Sequence, residues 1–143
     1  MGVQTFPAPA APSGLNAGEV FTTSGSWTVP AGVVFAHVIL RGGDGGYAAA
    51  TGMPSNNNQI VTAGTAGGNT VAFSTTANGG LGGQNYARSQ AIGGGGPITC
   101  VAHGQGPTSG VAIETIVAVT PGATETITVG SGTGAHVSIR WSA

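Results

Sequence analysis

The sequence predicts an all-β protein: a glycine-rich β-sandwich, jelly-roll-like, with long glycine loops and an extended N-terminal arm. Three observations carry that expectation. Residues 135–141 alternate strictly, with Ala135, Val137, Ile139 and Trp141 on one face and His136, Ser138 and Arg140 on the other, the period of a half-buried strand. Glycine and proline, 28 and 8 of the 143 residues, punctuate the chain as turn residues do. No stretch of useful length repeats its apolar residues at helical spacing.

Residues 1–18 read as an arm and residues 19–143 as one domain. Pro7, Pro9 and Pro12 favour polyproline II and forbid a helix, so the extended arm could reach about 50 Å. Its apolar side chains are too few to order it on its own. Phe6, Pro7, Pro9, Pro12 and Leu15 are therefore the candidate anchor to a neighbouring chain. Short strands are expected at residues 20–22 and 26–29, then a turn at Pro30-Ala31-Gly32. Residues 33–40 (VVFAHVIL) are apolar on both alternating faces, which predicts a central strand covered on both sides. Between residues 42 and 110, glycine pairs and a run at residues 93–96 separate modest strand candidates at 59–63 and 69–75. In the last third, strands at 111–119, 124–129 and 135–141 are joined by a Pro-Gly turn and by GSGTG, which predicts a meander.

Composition excludes several functions. Three Arg, no Lys and four acidic residues cannot neutralise many phosphates, so neither nucleic-acid binding nor adhesion to anionic membranes is expected. No apolar run approaches the ~18 residues of a membrane span, and residues 1–6 lack the features of a signal peptide. Cys100, the only cysteine, excludes an internal disulfide and a multi-cysteine zinc site.

The strand at 33–40 empties into RGGDGGY, residues 41–47. This is no phosphate cradle: the Walker spacing and its lysine are missing, and too few residues precede Gly52 and Pro54 for the helix of a dinucleotide site. Nothing local links a serine to His37, His103 or His136. Glu114 and Glu125, expected on neighbouring strands, read as solvent-facing charges and not as a glycosidase pair. Cys100-Val-Ala-His103 reads as a thiol beside a loop histidine and not as half a metal site. No enzyme, catalytic residue, metal or cofactor is expected. Trp27, Trp141, Phe21, Phe35 and Phe73 fall in strand patterns and read as core. Tyr47 and Tyr86 lie in glycine loops and are the ligand candidates, stacking on a sugar face. Asp44 and Arg88 can add charge-assisted bonds, beside backbone groups that the loops around residues 42–47, 79–86 and 93–96 turn outward.

The two ends together resemble a known family. Phe21-Thr-Thr-Ser-Gly-Ser-Trp-Thr-Val-Pro-Ala-Gly-Val33, followed by Val38-Ile-Leu-Arg-Gly-Gly-Asp-Gly-Gly46, looks like the opening of the glycine-rich domain of bacteriophage tail fibres and minor tail proteins. Val119-Thr-Pro-Gly122, Thr126-Ile-Thr-Val-Gly130 and Gly134-Ala-His-Val-Ser-Ile-Arg-Trp141 resemble its close. The resemblance implies a β-sandwich displayed on a virion, commonly trimeric, with glycine loops at a tip and no catalytic residues. The expected function is a virion structural protein of the tail or fibre that contacts the host surface, with a surface glycan as ligand. The alternatives are a capsid decoration or head-fibre protein held by the N-terminal arm, and a carbohydrate-binding module. Composition separately predicts a homo-oligomer. Glycine costs ~0.5–1 kcal/mol relative to alanine in regular structure, and burial between subunits would offset that cost.

Overall fold

The computed structural model describes residues 14–51, 60–84 and 107–143. These residues are all-β, as the punctuation and alternation predict, with ten strands and no helix: β1 (Ala17–Phe21), β2 (Gly25–Thr28), β3 (Phe35–Arg41), β4 (Ala49–Thr51), β5 (Ile60–Thr62), β6 (Thr70–Ala72), β7 (Thr75–Ala77), β8 (Ala112–Ala118), β9 (Thr124–Ile127) and β10 (His136–Trp141). Ten exceeds the eight strands that the sequence predicts, because residues 69–75 divide between β6 and β7 and the short β4 is added. β1 begins at Ala17, opposite Trp141. The last residues of the expected arm therefore belong to the sheet.

One antiparallel sheet has the order β1-β10-β3-β8. Facing it are the pairs β2-β9 and β6-β7, joined by a bridge between Val71 and Thr128. Ala36, Val38 and Leu40 of β3 and Val137 and Ile139 of β10 share one core with Trp27, Ala72, Ala77 and Ile127 of the facing strands and with Val29, just past β2. The alternation expected over residues 135–141 is borne out: Ala135, Val137 and Ile139 are buried on one face, with Trp141 partly buried against the same core.

The expected meander is corrected. β8 pairs with β3, β9 with β2, and β10 lies between β1 and β3. The Pro121-Gly122 turn carries the chain from one layer to the other. Val119 N donates to Val34 O on one side of it (2.9 Å), and Gly122 N donates to Val29 O on the other (2.9 Å). Alternation fixed the face of each strand but not its neighbour, which shared core burial selects. β3 is central, as predicted, but covered on one face only: Phe35, on the other face, is 61% exposed.

The strand expected over residues 69–75 folds back on itself. Phe73 and Ser74 have φ of 50° and 58° and form the two-residue turn between β6 and β7, of the kind that suits strand twist. A left-handed conformation costs a non-glycine residue roughly 1–2 kcal/mol. Tertiary contacts hold Phe73 there. Its N–H donates to Glu125 Oε1 (2.7 Å), and its ring meets Trp27 edge-on at 5.8 Å. Ser74 is exposed and has no such compensation. Ser74→Gly is expected to stabilise the fold by about 1 kcal/mol, measured as a raised urea midpoint.

Among the described residues, the glycine stretches are not loops. Segments around residues 42–46, 64–68, 79–83 and 107–111 lie side by side and exchange main-chain hydrogen bonds at every third residue. Gly42 and Gly45 donate to Val111 and Thr108, Gly43 and Gly46 to Gly68 and Thr65, and Gly80 and Gly83 to Gly43 and Gly46. Gly64 and Gly67 donate to Gly83 and Gly80, all at 2.8–3.0 Å. This period matches the turn of about three residues in polyproline II, which makes no bonds within a chain and leaves them for neighbours. Residues 42–46 (GGDGG) and 79–83 (GGLGG) run parallel, and the other pairings are antiparallel. A Cβ on Gly43 would collide with the Ser131 carbonyl, on Gly67 with that of Gly43, on Gly82 with that of Gly64, and on Gly110 with that of Gly42. Only glycine permits this spacing. The third position of the turn escapes the crowding, and there stand Asp44 and the exposed Leu81.

Candidate ligand-binding groove

The lattice continues the strand ends. The chain enters it from β3 and β7 and leaves it into β6, β8 and β10. Asp44, the middle residue of GGDGG, is fixed on three sides. Its N–H donates to Thr133 O (2.9 Å), while its Oδ1 accepts from Arg41 Nη2 (2.7 Å) and from Gly110 N (2.9 Å). Gly134, at φ 78°, has no Cβ to displace the Arg41 guanidinium that passes over it. The Gly110 N–H does most to hold the Asp44 carboxyl below its ordinary value of 3.8. Burial opposes the shift, and Arg41 adds to it by hydrogen bond and charge.

That shift has a defined sign. A carboxyl whose pKa is lower in the folded state contributes stability above its unfolded value and loses it as pH falls through the folded value. Thermal stability is therefore expected to fall below pH ~4. In Asp44→Asn, which keeps the oxygen and removes the charge, the acid-side fall shrinks. Melting curves across that pH range check this.

Beside Asp44 runs a groove of about 340 Å³ lined by Asp44, Gly45, Gly46, Tyr47, Pro107, Thr108, Ser109 and Thr133. Tyr47 is 84% exposed, so its ring is open to stacking. The structure thus brings together two of the expected ligand residues, Asp44 and Tyr47. Tyr86, Arg88 and residues 93–96 lie outside the described residues, as do Cys100, His103 and the anchor residues Phe6, Pro7, Pro9 and Pro12. Leu15 is half exposed at a depression shared with Val33, Val34 and Phe35.

Sequence reasoning missed the opposite wall, Pro107 to Ser109. No local signal marks it, because the lattice pairing alone brings it to Asp44. The lattice also changes what the site offers. The N–H groups of Gly42, Gly43, Gly45 and Gly46 are bonded to neighbouring segments and do not face a ligand. What the groove offers is side chains: the Tyr47 ring, the Asp44 carboxylate and the hydroxyls of Thr108, Ser109 and Thr133. Arg41, the cation next to the groove, is paired with Asp44.

The other candidate groups are apart. Glu114 lies on β8, where His37 Nε2 stands 2.6 Å from its Oε1. Glu125 lies on β9 in the facing layer, bonded to Phe73 N. They are not on neighbouring strands, contrary to expectation, because β8 and β9 belong to different sheets. His136 Nδ1 is 2.9 Å from Gly134 O. No family model, curated protein or solved structure matches the chain.

Proposed function

We propose that this chain is a structural protein of a bacteriophage virion, a homo-oligomer of the tail or fibre whose glycine-lattice end meets the host surface. The observation that carries the reading is the parallel pairing of GGDGG with GGLGG. It adds to the family-like motifs at residues 21–46 and 119–141 a physical reason for their glycine. A lattice tied by main-chain bonds keeps its shape while the outward positions vary in chemistry, which suits a surface selected for attachment. The ligand reading rests on the groove. An exposed ring, a carboxylate acceptor and hydroxyls suit a neutral, hydroxyl-rich sugar, and the carboxylate disfavours an anionic one. Residues 1–16, the arm ahead of β1, anchor the chain to other virion proteins in this reading.

Particles carrying Tyr47→Ala test it. The side chain is exposed, so the variant protein is expected to melt within ~1 °C of wild type and to assemble, while adsorption to host cells drops. Unchanged adsorption removes the groove from host contact. Immunogold labelling of virions tests the larger reading, which fails if no particle carries the chain.

A further inference from the structure

Among the described residues, the sheet β1-β10-β3-β8 ends in open main chain on both sides. Along an antiparallel strand, the N–H and C=O of one residue point to the same side, and the side alternates. Val119 N donates to Val34 O and Gly42 N to Val111 O, so the odd-numbered residues of β8 face β3. Ala112, Glu114, Ile116 and Ala118 therefore aim both groups away from the sheet. Carried through the registers of β3 and β10, the same alternation leaves Gly18 and Val20 of β1 aiming theirs outward at the opposite edge. These residues make no main-chain bond beyond their own sheet among the described residues.

Open edges are usually blunted by proline, lysine, bulges or brevity. β8 has seven residues, AIETIVA, and none of these devices. Its one charge, Glu114, is paired with His37. Ile116 is 71% and Val20 62% exposed.

We propose that β8 of one copy of this chain pairs antiparallel with β1 of the next, continuing the sheet from copy to copy. The proposal rests on the homo-oligomer in the function proposed above and names the surface that makes it. Every neighbouring pair in the sheet is antiparallel, so the four strands alternate in direction and β1 and β8 run oppositely. Copies facing the same way thus present edges that pair antiparallel. Pairing Gly18 and Val20 with the even-numbered residues of β8 also keeps the outer faces on one side. A β8–β8 pairing over all seven residues would instead set Glu114 opposite Ile116 and the two Glu114 side chains diagonally across the seam, within reach of each other as like charges. The outward residues of β1 carry no charge. Such a head-to-tail contact closes into a ring or runs on as a filament.

The test is amide hydrogen exchange on the full chain, with mass measured by light scattering on the same sample. The expected result is a multimer in which the amides of Gly18, Val20, Ala112, Glu114, Ile116 and Ala118 exchange slowly. Ile116→Pro removes an outward N–H and no bond to β3. It is expected to give a monomer with a wild-type β circular-dichroism spectrum and fast exchange at Gly18 and Val20. Val117→Pro, whose N–H faces β3, unfolds. A monomeric wild type overturns the homo-oligomer and the pairing together. A multimer with fast exchange at Gly18 and Val20 overturns the pairing alone, and this wild-type measurement decides even if Ile116→Pro fails to fold. Slow exchange of these amides in a monomer also overturns the pairing.

Discussion

Gly43→Ala is expected to destabilise the protein by about 3 kcal/mol or more, at or above the usual cost of overpacking. The added methyl would strike the Ser131 carbonyl, which is main chain and cannot rotate away. Moving Gly43 aside would stretch two bonds at once, its own to Gly68 O (3.0 Å) and that from Gly80 N to its carbonyl (2.8 Å). Gly25→Ala is the control. A Cβ there would meet only the Phe21 ring at 3.7 Å, an ordinary contact, and the strand would gain up to ~1 kcal/mol. Urea unfolding of both variants decides the matter. Equal stabilities would mean that the lattice does not hold the fold together.

Trp27→Ala is expected to cost about 3–5 kcal/mol, the range for a large aromatic removed from a core. Trp27 is 2% exposed and lies between Phe73 at 5.8 Å and Trp141 at 5.4 Å. Its removal leaves a cavity between the two layers and takes away the ring against which the strained Phe73 turn packs. Phe35→Ala, at an exposed aromatic of the outer face, is expected to cost less than ~1 kcal/mol. Denaturant midpoints, with near-ultraviolet circular dichroism to report the aromatic cluster, measure both. A Trp27→Ala loss no greater than that of Phe35→Ala would show that the core lies elsewhere.

Strands and faces were legible in the sequence wherever one side chain in two is buried. The alternation of residues 135–141 placed Val137 and Ile139 inside, and Trp27 and Trp141 were read as core from their strand settings. The turns at Gly32 and Gly122, both at positive φ, followed from Pro-Ala-Gly and Pro-Gly. The candidate site was half legible, since an aromatic and an acid in a glycine stretch marked Tyr47 and Asp44. Phe73 and Ser74 gave no turn signal, because contacts to Trp27 and Glu125 hold a conformation that neither residue prefers.

Local pattern alone determined that this chain is all-β, poor in charge and built around glycine. Tertiary structure decided which strands are neighbours and what the glycine is for. The last three strands pair with β3, β2 and β1, and not with one another, because hydrogen bonding is indifferent to partner identity and only the common core selects. The glycine segments became a lattice for a related reason. Each N–H finds its acceptor on a segment distant in sequence, as Gly42 does at Val111, and a residue without a side chain carries no mark of which backbone it will lie against.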